Sequence, residues 1–305
     1  MRKSLIVGLS SLVLVTGSLT ASAGLQPSAT SEIVNCAGDG HDGNRVSAVY
    51  LYPAGTQNNY DVRLPVIRRA LSRLDKVWDS AADPYDQHPR WLCRPTSSRA
   101  VVTAVQGPPI GSDRVYTFAE VVRAMKAAGY SSSHRVYLIF ADSIGSAFPY
   151  GGKATTDDDD RRTSSNLNNI GPGYAMVDGV EKGWEYSVLA LGALHELGHA
   201  LGAVQCSAPH SSCRPAHEVG HHHCWDEYDV MCYDDGGSYY WGSDRVDGTA
   251  DDREPVTRCS ETSSLAAQWD CGKDDYFNIA PAAGSYLATH WNLAISSFVT
   301  RPRPE

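Results

Sequence analysis

Six of the eight cysteines lie beyond Ala203, in a stretch where Gly, Ser, Asp and Tyr dominate and hydrophobic periodicity is weak until Tyr286. A segment of that kind is held by cross-links more than by helices and strands. The cysteine count is even and no CxxC pair of the zinc-ribbon type occurs, so disulfides are the expected use. Short loops favour neighbours, which gives Cys36–Cys93, Cys206–Cys213, Cys224–Cys232 and Cys259–Cys271 as the expected pairs.

Paired cysteines persist in an oxidising compartment. The N-terminus agrees: Arg2 and Lys3, the apolar run Leu5 to Val15 and the small-residue site Ala21-Ser22-Ala23 read as an export signal spanning 1–23. No later apolar stretch approaches the length of a membrane span. The expected product is a secreted, extracellular protein. Loss of Arg2 and Lys3 takes the net charge from −9 to −11, and basic patches are absent, which argues against nucleic acid or an anionic membrane as partner.

From Arg45 onward, strands alternate with amphipathic helices. Arg45 to Tyr52 and Arg135 to Ala141 are β-branched and aromatic, and Ala100 to Val105 is a shorter strand. Leu64 to Ala81 carries apolar residues at helical spacing, and Thr117 with Glu120 forms a capping box opening a helix to Gly129. Asp142 to Gly173 reads as loop, Tyr174 to Val177 as an edge strand, and about Glu185 to Ala203 as a helix. The expected fold class is α/β: a twisted, mostly parallel sheet with a helix carrying the site, above an irregular, disulfide-rich lower part. One domain over 24–305 is expected, with its upper α/β part at 24–203 and its lower part at 204–305.

His195-Glu196-Leu197-Gly198-His199 lies on the last of those helices. Residues i and i+4 share one helix face, so both imidazoles can reach one zinc ion, and Glu196 beside them is placed to take a proton from a metal-activated water. Val188, Leu191, Leu194 and Leu201 supply a surface for burying the helix. A surface helix with unrelated histidines is the bland alternative. The residues that follow weigh against it: Ala200-Leu201-Gly202-Ala203-Val204-Gln205, and later Asp229-Val230-Met231-Cys232-Tyr233.

With these, the chain resembles the metzincin clan of zinc endopeptidases, whose pattern is HExxHxxG, a third ligand and a later methionine turn. Its texture is similar to that of secreted actinomycete proteins carrying the motif. The resemblance implies that Gly202 is where the helix ends and the chain turns back, that Met231 lies beneath the metal, and that Tyr233 stands near it and steadies the oxyanion. It also implies His or Asp where this chain has Gln205. Catalytic zinc usually takes three protein ligands, and a neutral amide is a weak one. His210, in Ala208-Pro209-His210 within the Cys206–Cys213 loop, is the expected third ligand; His223 is second, Gln205 third, and Asp226 remains open.

Seven of the eleven histidines fall between His195 and His223. The triple His221-His222-His223 also reads as an exposed loop. Two acidic runs, Asp157 to Asp160 and Asp270 to Asp275, make calcium a second candidate cofactor, against plain solvated turns. Serine chemistry lacks its GxSxG elbow, and cysteine chemistry conflicts with full pairing.

The functional expectation is a secreted, monomeric zinc endopeptidase acting on a peptide or protein substrate, with Glu196 as general base. Two alternatives stand beside it: a catalytically dead metal-binding or adhesive module, raised by Gln205, and a zinc amidase acting on cell-wall peptide.

Overall fold

In the computed structural model, residues 32–109, 117–142, 151–180, 186–213, 222–224, 229–232, 259 and 269–304 are described. The sheet strands are β1 (Arg45–Ala54), β3 (Val102–Pro109), β4 (Arg135–Ala141), β5 (Gly152–Ala154) and β6 (Gly173–Val177), and the short β2 (Tyr85–Asp86) pairs with β7 (Arg303–Pro304). Helices α1 (Tyr60–Ala82), α2 (Phe118–Ala127), α3 (Tyr186–Ala200) and α4 (Tyr286–Thr289) complete the set with two short 3-10 turns. The sheet order is β3-β1-β4-β6-β5, parallel throughout except for β5, which runs antiparallel to β6.

Both faces of the sheet are covered, which is why its central strands read as continuous apolar runs. Val46, Ala48 and Tyr50 of β1, Val136, Leu138 and Phe140 of β4, and Ala175 and Val177 of β6 share one apolar cluster with α1 and α3. The intervening residues Val49, Leu51, Tyr137, Ile139, Tyr174 and Met176 face a second cluster with Val121 and Met125 of α2. α1 buries Ile67, Ala70, Leu71, Leu74, Val77 and Trp78 along one stripe. α2 starts as the sequence predicts: Thr117 Oγ1 accepts from the Glu120 amide and Glu120 Oε2 accepts from the Thr117 amide.

The fold class is therefore α/β with a mostly parallel sheet, and all four expected disulfides form. Three of them lie in the lower part, where regular structure among the described residues shrinks to α4, a 3-10 turn and β7. That part is nonetheless continuous with the upper core, since Trp269, Tyr276, Phe277, Trp291 and Phe298 belong to the same cluster as α1 and α3. Trp291 Nε1 also donates to the Leu201 carbonyl at 2.8 Å, fixing the chain where α3 ends.

One expectation needs correction. Tyr174 to Val177 is an interior strand, fully buried between β4 and β5, because its Tyr-Ala-Met-Val run is apolar on both faces. The edge belongs to β5, three residues within the stretch read as loop. No helix among the described residues is long and apolar enough to cross a membrane. The export signal lies outside the described residues.

Candidate metal centre

Although Val188, expected to help bury the helix, is exposed, α3 packs Leu189, Ala193, Leu194 and Leu197 into the core shared with the sheet and α1. His195 and His199 project from it one turn apart. Their Nε2 atoms are 3.0 Å from each other, and a third imidazole meets both: His223 Nε2 is 3.1 Å from His199 Nε2 and 3.3 Å from His195 Nε2. These three residues form a group able to hold a metal ion.

The chemistry of this triangle fits a cation. Each Nε2 is either an N–H donor or a lone-pair acceptor, so three mutual contacts force at least one pair of like kind together. A single cation among them accepts all three lone pairs. Two nitrogens bound to one tetrahedral zinc stand about 3.3 Å apart, close to the separations found. His195 is already set in the required tautomer, since its Nδ1 donates to the Val230 carbonyl at 2.6 Å and leaves Nε2 as a lone pair. Burial pushes the His195 and His199 pKa values down, toward the neutral form that binds metal.

Glu196, between the two helical histidines, is also buried. Burial pushes its carboxyl well above the usual carboxylate range, opposed by the Lys153 ammonium on β5. Its Oε2 has no hydrogen-bond partner among the described residues, nor does His199 Nδ1. A buried, unpaired carboxylate oxygen is costly, and here it stands one residue from a ligand candidate.

The turn Asp229 to Cys232 serves the site in two ways. Its Val230 carbonyl holds the His195 ring, and Met231 is buried against α3 at Gly198, where a Cβ would come within 2.7 Å of Met231 Sδ. Asp229 Oδ1 shapes the turn by accepting from the Met231 amide and from Tyr276 Oη. The Cys224–Cys232 disulfide joins this turn to His223, and Ser212 donates to the His223 carbonyl through both its amide and its Oγ. Gly202, at φ +85°, ends the helix as expected; a Cβ there would stand 2.7 Å from Asn168 Cβ and Nδ2.

His210 does not join the triangle. Its Nδ1 is 3.1 Å from Asp275 Oδ2 and its amide donates to Asp275 Oδ1, so the Cys206–Cys213 loop turns this imidazole toward the acidic segment instead of toward α3. Gln205, buried, donates from Nε2 to the Gly202 and Asp157 carbonyls and braces the chain reversal. Of the residues expected as ligands, the structure brings His195, His199 and His223, the second choice for the third position, together, and places His210 against Asp275 instead. Tyr233 and Asp226 lie outside the described residues.

The acidic runs have intrachain uses. Asp158 faces His222, Asp159 binds Arg161 and the Leu167 amide, and Asp160 accepts from Ser207. Asp270 accepts the amides of Asp274, Tyr276 and Phe277 and so closes its own turn. Sequence patterning misses β5, whose Gly152 and Lys153 stand beside Glu196.

Scanned against protein-family models and against curated proteins, the chain matches none.

Proposed function

We propose that the chain is a secreted, metzincin-like zinc endopeptidase in which His195, His199 and His223 hold the metal and Glu196 carries protons. The observation behind this reading is the triangle of three Nε2 atoms beside a buried glutamate whose Oε2 has no hydrogen-bond partner among the described residues. A structural metal site has no use for such a group; a hydrolytic one does. The methionine turn under Gly198 and the helix end at Gly202 add support.

Zinc bound there supplies Lewis acidity, lowering the pKa of a water and polarising a carbonyl oxygen. The remaining work falls to the chain. Glu196, one residue from His195 on α3, takes the proton released as water attacks the scissile carbonyl. It then passes the proton to the amine nitrogen as the C–N bond breaks. The hydrogen bond from His195 Nδ1 to Val230 keeps that ring oriented throughout. β5, paired on one side only among the described residues, offers an edge to which an extended peptide adds as a further strand.

The test is metal analysis of purified protein followed by digestion of casein and a peptide library, with and without chelator. We expect one zinc per chain and hydrolysis that chelation removes and zinc restores. Full zinc loading with no cleavage would overturn the endopeptidase reading in favour of a binding module. Cleavage confined to cell-wall peptide would overturn it in favour of an amidase.

A further inference from the structure

The strand bordering the site, β5, opens on Gly152, and Gly151 just before it has opposite surroundings. A Cβ built on Gly151 meets nothing within 4 Å among the described residues. One built on Gly152 would stand 2.5 Å from Glu196 Cγ, 2.5 Å from the Met176 carbonyl oxygen and closer still to Glu196 Oε1. Real side chains do not approach so closely, because protein interiors are packed to van der Waals contact. Gly152 has no positive φ to account for its identity. It pairs with Val177 in ordinary antiparallel register. The missing side chain is therefore what allows β5 and the Glu196 carboxylate to share this space.

We propose that Gly152 is the positioning residue for Glu196: strand backbone, in place of a side chain, forms the wall against which Oε1 rests. The inference depends on reading Glu196 as the proton carrier. Two rigid elements, α3 and β5, then fix the carboxylate between them. Any methyl at 152 must either swing Glu196 away or lift β5 from Met176. Misplacing a reacting group by about 1 Å costs on the order of a hundredfold in rate.

Gly152→Ala, tested in the full zinc-loaded chain, should lower kcat at least about thirtyfold, with KM and zinc affinity within about twofold of wild type. Gly151→Ala should leave all three unchanged. A second measurement does not depend on activity. The Tm loss caused by Gly152→Ala should shrink by at least about half in a Glu196→Ala background, where Cγ and Oε1 no longer oppose the methyl. If Gly152→Ala alone does not fold, folding of the Gly152→Ala/Glu196→Ala protein supports the assignment and its failure to fold overturns it. A Gly152→Ala enzyme of near-normal kcat, or an equal Tm loss in both backgrounds, also overturns it. Wild-type protein without peptidase activity overturns the role given to Glu196 instead, and the Tm comparison still decides whether the two residues share this space.

Discussion

Glu196→Gln should reduce peptide hydrolysis by about a hundredfold or more while the protein keeps its zinc. The amide preserves the size of the side chain and its fit against Gly152, but it cannot take a proton. Burial has a second consequence here. Glu196 is buried and its Oε2 has no hydrogen-bond partner among the described residues, so a neutral amide of the same size carries less desolvation cost than the carboxylate, and the variant should fold at least as stably as wild type. Kinetics, zinc analysis and thermal unfolding on the same preparation check all three statements. Turnover within tenfold of wild type in folded, zinc-loaded Glu196→Gln would remove Glu196 from the mechanism.

His223→Ala should weaken zinc binding by more than about a hundredfold, beyond the loss usual for partners that merely orient a ligand. It removes one corner of the triangle and leaves His195 and His199 with an incomplete set. His210→Ala should leave zinc affinity within about tenfold of wild type, because that imidazole is committed to Asp275. Competition with a chromophoric chelator measures both. Equal losses in the two variants, or a larger loss in His210→Ala, would reverse the choice of third ligand.

Much of this arrangement is legible in the sequence. The period-3.6 and strand patterns yield α1, α2 and the central strands, since burial on one stripe or on both faces leaves a direct trace in residue type. Nearest-neighbour pairing yields all four disulfides. His195, Glu196 and His199 follow from helical geometry alone, because their relation is local. The errors have non-local causes. β5 is a three-residue strand that exists only through pairing with β6, and no periodic signal can arise in so short a run. Tyr174 to Val177 resembles an edge because it is brief, yet its apolar residues alternate between two cores and mark it as interior.

The third imidazole shows the limit most clearly. His223 stands 24 residues beyond His199, and what returns it is the Cys224–Cys232 disulfide together with the two Ser212 hydrogen bonds. None of that is contained in ligand spacing. One signal was available: His223 immediately precedes a cysteine paired to the residue after Met231, so a link from the methionine turn leads straight to it. Gln205 occupies the position where the resemblance implies a ligand, but its Nε2 donates to two backbone carbonyls and it is not among the three imidazoles of the triangle. Gly152 is a different case, because a glycine required by a neighbour's side chain is indistinguishable in sequence from one in a loop.

The most direct test of the central claim is zinc X-ray absorption on the purified chain, compared with the His223→Ala protein loaded to the same metal content. The account predicts a wild-type shell of three imidazole nitrogens at about 2.0–2.1 Å and one oxygen, with one imidazole missing in the variant. A wild-type shell of two imidazoles, or a spectrum that His223→Ala leaves unchanged, would contradict it.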